Sequence, residues 1–257
     1  MHFFGNSNKE DIHSVGLVFE PNFFRLYYYA DRDAQKLVAT EKVENGAEPG
    51  LKNVSKLYPL FAMTFNAHYT LVPNALFNED HAQDMLAFNT ESKSPNVDWN
   101  NDPINQAKII FERDIHAEQY LDRAFPGLQL KHGVLALITF CRSIKNPKNY
   151  SLLFKSAEKY TVTTFKNGRT KYINTIEAKH AEDVVYFLLY TLKTLKIDLG
   201  TPLYLLGNFQ DEESLVPTLK AYLPEVHTNE PVPNNLKHHS EVAAEHWAGV
   251  YASICAL

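Results

Sequence analysis

The segment 150–223 constrains the fold most, because strand and helix patterns alternate along it in a fixed order. Residues 150–154 and 159–166 are rich in β-forming side chains, and a third strand follows Asn167-Gly168, the dipeptide of a type I′ hairpin. Apolar residues then recur at helical spacing over 181–195, before a short apolar strand at 202–206 and a helix at 211–223. The segment therefore predicts an α/β unit.

The hairpin turn also predicts how its two strands pair. A two-residue loop brings Lys166 opposite Arg169. Counting back from this pair places Val162 opposite Ile173, so both faces of the hairpin would carry apolar area.

A weaker version of the same order begins near His13. Segments 14–20, 23–30 and 36–43 are predicted strands, 61–73 is predicted to be extended, and 90–102 is predicted to be a loop. Asn78 is a predicted N-cap for a helix over 79–88, a strand is predicted at 107–112, and helices at 117–124 and 133–144. Three strands, a helix, a strand and a helix, occurring twice, match the ribonuclease-H-like unit that is duplicated in actin-like ATPases. This order predicts two subdomains, 12–146 and 147–257.

Composition restricts the location and the class of partner. The net charge of −5 over 257 residues, without a long basic run, disfavours nucleic acid and anionic membrane surfaces. Cys141 and Cys255 both lie in apolar, helix-like runs, so a reducing cytoplasm is predicted. The N-terminus lacks the pattern of a signal peptide, and no segment approaches the roughly 20 apolar residues of a membrane helix.

Two parts of the sequence resemble an uncharacterised bacterial family, a domain of unknown function within the actin-like ATPase superfamily. The first part is YTLVPNALFNED at 69–80 with LAFN at 86–89. The second comprises YIN at 172–174, EDVVYFLL at 182–189 and LYLLGN at 203–208. The resemblance implies an actin-like fold, and it implies no activity because none is assigned to that family.

Active members of the superfamily hold ATP between two β-hairpins, each entered by an Asp followed closely by Gly and by Thr or Ser. In this sequence the first hairpin falls at 17–22, with Val18 near the Asp position, Glu20 near the Gly position, and Pro21 removing an amide donor. A carboxylate in a phosphate cradle would repel the nucleotide by about 4 kcal/mol at ~4 Å and a dielectric constant of ~20.

The second hairpin falls at 153–158 and has Phe154 and Ser156 near the expected Asp and Gly positions. Lys155 or Ser156 retains the ability to contact an anion. The superfamily also carries a Gly-Gly turn beside the adenosine, and here Gly207-Asn208 keeps one glycine, which a tight strand-to-helix turn explains equally well. We therefore expect no ATP hydrolysis.

Other polar constellations have simpler explanations than catalysis. The first strand offers Glu20 as its only carboxylate, which disfavours a two-metal nuclease site. Asp31 and Asp33 lie between two predicted strands, where a solvated turn is favoured over a metal-binding pair. The histidines at 238, 239 and 246 form no convincing ligand set, and Cys141 is expected to be a buried apolar residue. The remaining single histidines are expected to make ordinary hydrogen bonds: His68, His116 and His132.

The last segment, 240–257, is predicted to be an amphipathic helix. Its apolar residues are Val242, Trp247, Val250, Tyr251 and Ile254. Because Lys and Arg are absent after Lys237, docking onto its own domain is favoured over contact with a membrane.

The sequence thus predicts an α/β protein of duplicated ribonuclease-H-like subdomains with an actin-like ATPase fold. We expect a catalytically inactive protein-interaction or scaffold module, with a protein partner, no cofactor, and no assigned catalytic, metal or nucleotide-binding residue. The aromatic strand 23–29 is a candidate contact surface, although core packing explains it equally well.

The sequence is also compatible with two other functions. The first is an unusual nucleotide-binding protein or kinase that uses Lys155, Ser156 and Gly207-Asn208 in the cleft that such folds form. The second is a small-molecule sensor, which rests on the usual pocket position of the fold alone.

Overall fold

The computed structural model describes residues 1–4, 6–20, 22–33, 36–143, 148–156, 159–207, 209 and 214–228. Over this range the chain divides into two compact units, of which the first extends to Phe140 and the second begins at Cys141. The subdomain limits 12–146 and 147–257 stay a prediction, because 229–257 lies outside the described residues.

The first unit contains the elements that precede Cys141. Its strands are β1 (His2–Phe3), β2 (Ser14–Phe19), β3 (Phe23–Tyr29), β4 (Leu37–Glu44), β5 (Tyr58–Thr64), β6 (Tyr69–Pro73), β7 (Val97–Asp102), β8 (Ala107–Glu112) and β9 (Leu130–His132). Its helices are α1 (Ala82–Asn89), α2 (Ile115–Ala124) and α3 (Gly133–Ser143), and the boundary between the units falls within α3.

The main sheet of the first unit has the order β1-β4-β3-β2-β5-β9. Strands β2, β3 and β4 form an antiparallel meander, whereas β5 and β9 run parallel to β2. The meander confirms the three strands predicted after His13. Helix α2 covers one face, where Leu121 joins Leu17 and Leu26 in a continuous apolar cluster.

The aromatic strand β3 lies in this core and does not form a contact surface. Tyr27, Tyr28 and Tyr29 are fully buried. The expectation of an exposed aromatic face at 23–29 is therefore wrong, and the alternative explanation by core packing is correct.

A second, three-stranded sheet with the order β6-β8-β7 is inserted between β5 and β9. Helix α1 packs on it through Ala82 and Leu86. The predicted loop at 90–102 is wrong from Val97 onward, because the polar segment β7 pairs along its whole length with β8. The predicted extended segment 61–73 is divided between β5 and β6, which belong to different sheets.

The predicted cap at Asn78 is confirmed in a modified form. Its side chain accepts a hydrogen bond from the backbone N–H of Asp80 at 3.1 Å, as an N-cap does. The capped turn Glu79–His81 is a 3-10 helix, and α1 follows it.

The second unit contains β10 (Tyr150–Ser156), β11 (Lys159–Lys166), β12 (Arg169–Glu177), α4 (Ala181–Thr194), β13 (Leu203–Leu206), α5 (Leu215–Tyr222) and β14 (Val226–Thr228). Its sheet has the order β12-β11-β10-β13-β14, with β13 parallel to β10 and β14 parallel to β13. The same order occurs in the first unit as β4-β3-β2-β5-β9. This identity confirms the duplication predicted from the element order.

The hairpin between β11 and β12 has the predicted turn but a different register. Asn167 and Gly168 both have positive φ angles, 54° and 72°, as a type I′ turn requires. Lys166 pairs with Arg169 as expected, but a bulge between Thr164 and Phe165 shifts the pairing beyond it. Val162 consequently lies opposite Asn174, so the predicted pairing with Ile173 is wrong by one residue.

Candidate functional site

The turn after β2 lies where an actin-like ATPase would carry its first phosphate-binding hairpin. The backbone N–H of Glu20 donates to the carbonyl of Phe23 at 2.9 Å and closes the predicted hairpin, while Pro21 lies outside the described residues. Val18 is 1% exposed and pairs with Arg25 on one side and Met63 on the other. An apolar side chain embedded in this way supplies no ligand for a metal-bound nucleotide.

The corresponding hairpin of the second unit joins β10 to β11. Phe154 is 1% exposed, so the expected Asp position is again filled by a buried apolar side chain. Ser156 pairs with Lys159, and Ala157 and Glu158 lie outside the described part of the chain.

Two lysine side chains, Lys155 at the end of β10 and Lys159 at the start of β11, flank this second hairpin. Nζ of Lys155 lies 5.8 Å from the ring centroid of Tyr160, and Nζ of Lys159 lies 3.6 Å from a carboxylate oxygen of Glu177. Among the described residues, the charged side chains at this end of the sheet are thus Lys155, Lys159 and Glu177, while Glu158 lies outside them.

Gly207 follows the last residue of β13 and lies against the second hairpin. Its φ is +109°, and a Cβ placed there would lie 2.3 Å from the carbonyl oxygen of Lys155. Only glycine fits such a close backbone contact. The structure therefore brings Lys155 and Gly207 together, but packing alone accounts for the glycine. Asn208 lies outside the described residues.

His132 lies at the equivalent end of the first unit and is a buried structural residue. Its Nε2 lies 2.9 Å from the carbonyl oxygen of Asn66, and its Nδ1 accepts from the backbone N–H of Val134 at 3.3 Å. These partners define a neutral ring protonated on Nε2. Its own backbone N–H donates to Asn100 Oδ1 at 2.6 Å. The prediction of ordinary hydrogen bonds is confirmed for this residue.

A second polar cluster, which the sequence did not predict, lies at the end of β8 and consists of His68, Ser92 and Glu112. His68 Nδ1 lies 2.7 Å from Glu112 Oε2, and Ser92 Oγ donates to the same oxygen at 3.0 Å. The serine bonds to the carboxylate and not to the imidazole, so the order of a nucleophile, a base and an acid is not formed. The pairing of β6 with β8 creates this cluster, and no sequence motif indicates that pairing.

An open groove of about 300 Å³ lies along β7, α2 and the segment before β9. Asp98, Glu118 and Asp122 line it together with Arg113, which leaves two negative charges in excess. Arg113 Nε donates to Glu118 at 2.8 Å, and this hydrogen bond raises the pKa of the guanidinium. The groove is suited to a cationic group, because the one cation that lines it is already paired.

The remaining candidate residues are scattered. Asp31 accepts the backbone N–H groups of Asp33 and Lys36, which confirms a turn. Cys141 is buried, as predicted, and His116 is exposed. Over the described ranges, no three acidic, His or Cys side chains lie close enough to hold a metal ion. His238, His239, His246, Cys255 and the predicted helix 240–257 lie outside the described residues.

None of the helices that the structure describes combines the length and the apolar character needed to cross a membrane.

Two units that share a five-strand order, a meander followed by two parallel strands, define an actin-like ATPase fold. A Bacteroides thetaiotaomicron protein with this fold and unknown function superposes with a TM-score of 0.71 at 19% identity, covering 92% of this chain and 97% of that one. A structure described as a PilM-PilN type IV pilus biogenesis complex superposes with a TM-score of 0.57 at 13% identity, covering 96% of this chain and 99% of that one.

The chain belongs to the family described as "Protein of unknown function (DUF3822)", whose sequence model matches residues 62–226. The resemblance inferred from the segments at 69–89 and 172–208 is thereby confirmed. A search among curated proteins gives no match.

Proposed function

We propose that this protein acts by binding a protein partner and does not hydrolyse ATP. The observation that carries the proposal is the burial of Val18 and Phe154 at the two strand ends where active actin-like ATPases place a carboxylate. Val18 and Phe154 supply no carboxylate to order Mg²⁺ and the attacking water, on which phosphoryl transfer depends.

The charge of the chain and its similarity to a solved structure both support a protein as the partner. The chain has a net charge of −5, which is unfavourable for a polyanion such as nucleic acid. Its acidic groove is suited to a basic side chain of another protein. One of the structures of similar fold is described as a PilM-PilN type IV pilus biogenesis complex.

The proposal includes a cytoplasmic location. Cys141 is buried and forms no disulfide, and a reducing compartment preserves such a thiol. Cell fractionation tests this part, and recovery of the protein in an extracellular fraction would contradict it.

Thermal unfolding in the presence of ATP, ADP or GTP with Mg²⁺ tests the absence of a nucleotide function. A ligand at 100 times its Kd would stabilise the protein by about 2.7 kcal/mol. We expect no rise in melting temperature and no release of phosphate. A nucleotide-dependent rise would contradict the proposal.

A second candidate function is nucleotide binding, or a kinase activity, at the second hairpin. It is favoured by the ammonium group of Lys155 and by the contact of Gly207 with that residue. Lys155→Ala separates the two candidates, with Lys193→Ala on the exposed face of α4 as the matched control. A nucleotide-dependent shift that the first variant loses and the second keeps would establish this site.

The partner is sought by affinity capture from the native cytoplasm. Asp98→Lys together with Asp122→Lys reverses the charge of the groove, and Asp183→Lys on α4 is the control. If the chain is recovered without any bound protein, the interaction proposal fails.

A further inference from the structure

Helix α4 is apolar on almost all sides, although one side of it is exposed. Between Val184 and Leu192 every residue except Thr191 is aliphatic or aromatic, and Thr191 is itself buried. Val184, Leu188 and Leu192 belong to the apolar cluster under the helix. A surface helix usually carries polar residues opposite its buried side, whereas a helix that is apolar all round is usually covered. The outer side of α4 therefore has the composition of a covered surface.

Two tyrosines form the centre of this outer side. Tyr186 and Tyr190 are 71% and 58% exposed, and their rings stack at a centroid distance of 6.2 Å. Residues four apart lie on the same side of a helix, because successive residues are rotated by about 100°. Phe187 and Leu189, which are half-buried, flank the pair. Exposed tyrosines that lie together are typical of protein interfaces, where they supply large contact areas.

Oppositely charged residues lie at the two ends of the tyrosine pair. Glu182 precedes Tyr186 by one turn, Lys193 follows Tyr190 by one turn, and both charged side chains are exposed. These charges also suit the helix dipole, so the argument for an interface depends on the tyrosines between them. We call the four residues together the α4 face: Glu182, Tyr186, Tyr190 and Lys193.

The α4 face is complementary to a second copy of itself that runs in the opposite direction. In an antiparallel pair centred at the level of Leu188, Tyr186 lies level with Tyr190 of the second copy, because each is two residues from the centre. Glu182 and Lys193 are about three turns apart, so they lie along the same edge of the face. Glu182 of one copy therefore lies beside Lys193 of the other, and two-fold symmetry repeats this contact at the opposite end.

We propose that α4 is a homodimer interface, at which two copies of the chain pack their α4 faces against each other in antiparallel orientation. The four tyrosines supply the contact area, and the two contacts between Glu182 and Lys193 fix the direction. A parallel pair would place each of these charges beside its own kind, which is unfavourable. We expect a weak dimer, because two 14-residue helices bury less area than the roughly 1,200 Å² at which standard interfaces begin.

This inference does not depend on the proposed function, since a dimer can form whether or not another protein binds. Lys193→Ala and Asp183→Lys remain controls for the hairpin and the groove, because neither residue lies at those sites. Both controls are measured at concentrations below the Kd of the dimer.

Sedimentation equilibrium of the full chain, up to about 0.5 mM, measures the dimer directly. Tyr186→Ala and Tyr190→Ala each remove two rings from the interface, and each should weaken dimerisation about tenfold. Tyr58→Ala removes an exposed tyrosine of the first unit and should leave the dimer unchanged. Circular dichroism checks that every variant is folded.

Exchanging the two charges tests the orientation. Glu182→Lys and Lys193→Glu each turn two attractive contacts into repulsive ones, and each should weaken dimerisation about fivefold. The double variant restores opposite charges at both ends, so it should recover most of the loss.

Hydroxyl-radical labelling of the wild-type chain identifies the surface that is used. Labelling of Tyr186 and Tyr190 should fall as the protein concentration rises, because the dimer covers both rings. Labelling of Tyr58 should not change.

Three outcomes would overturn the proposal. The first is a wild-type chain that stays monomeric at the highest concentration, which would leave the α4 face to a different protein. The second is a dimer in which Tyr186 and Tyr190 are labelled as strongly as in the monomer. The third is a double charge variant no better than the single variants. Failure of the dimer leaves the nucleotide and capture experiments unaffected, so the two proposals fail separately.

Discussion

In the first unit, β4 leads into a loop that contains the 3-10 turn Val54–Lys56, and β1 covers its outer side. In the second unit, the equivalent β12 leads into the 14-residue helix α4, and its outer side has no strand beside it in the described part of the chain. The strand order is nevertheless the same in both sheets. The meander and its parallel strands are therefore common to both units. The segment that connects the meander to the next strand, and the covering of the outermost strand, differ between them.

The carboxyl ends of the two sheets differ in a similar way. Gly207 follows β13 and contacts the backbone of Lys155, whereas the equivalent residue after β5 is Phe65, whose ring lies against Gly133. At this position the second sheet has a close contact between two backbone segments, whereas the first sheet has a contact between an aromatic ring and a glycine. Neither arrangement places a carboxylate there.

The largest expected effect comes from Gly207→Ala. The new Cβ would overlap the carbonyl of Lys155 at a φ of +109°, so the backbone must move, and we expect a loss of about 3 kcal/mol in the free energy of unfolding. Gly168→Ala is the control, because its φ is +72° but no atom lies within 4 Å of the new Cβ. It should cost about 1 kcal/mol. Urea unfolding measures both, and equal losses would show that the close approach does not matter.

Two buried tyrosines provide the next comparison. The Tyr28 hydroxyl donates to the Glu41 carboxylate at 2.8 Å, whereas the Tyr150 hydroxyl donates to the backbone carbonyl of Cys141. Tyr28→Phe leaves a buried carboxylate short of a donor and should cost about 2 kcal/mol, and Tyr150→Phe about 1 kcal/mol. Tyr222→Phe on the surface is the control. A larger loss of stability for Tyr150→Phe than for Tyr28→Phe would mean that the charge of the hydrogen-bond acceptor does not determine the loss.

Both tyrosines also predict how stability depends on alkaline pH. Burial raises the pKa of the Tyr28 and Tyr150 hydroxyls above the usual 10.0. The unfolded chain therefore releases these protons at a lower pH than the folded chain. Their contribution to stability is complete below about pH 10 and is lost as the pH rises toward the folded pKa. The loss should be about 1.4 kcal/mol per pH unit for each tyrosine.

Unfolding in urea at a series of pH values above 9 measures this slope. Tyr28→Phe should remove about half of the part due to the two tyrosines, and the double variant all of it. Tyr120 adds a smaller term, because its pKa is raised by burial to about 12. A slope that the double variant retains would contradict the assignment.

The sequence predicted the two meanders, and the helix α4 that follows the second of them, because local signals define these elements. Asn167-Gly168 fixes a turn by its φ preference, and the apolar stripe of α4 appears at helical spacing. The bulge after Thr164, the strand β7 and the short strand β14 were missed. Each depends on pairing with another strand. The composition of a polar segment such as 97–102 does not indicate that pairing.

The candidate sites differ in the same way: some depend on local sequence signals and others on pairing between distant strands. Val18 and Phe154 lie in strands, as predicted, because the sequence marks where those strands end. That they stand at the Asp positions of active ATPases stays a prediction. The groove around Arg113 and the His68–Glu112 pair depend on the inserted sheet, whose pairing was not predicted. Their residues are separated widely along the chain, and no spacing rule connects them.

The smallest expected effect tests the edge comparison in the first unit. Deleting residues 1–4 removes β1 and its hydrogen bonds to β4, including the bond from Phe4 to Val38, and should cost about 1 kcal/mol. If the pairing with β1 is what covers the outer edge of β4, a β4 amide that now pairs with β1 should exchange faster in the shortened chain, and hydrogen exchange measures this. A shortened chain whose β4 amides keep their protection would show that β1 does not cover this edge.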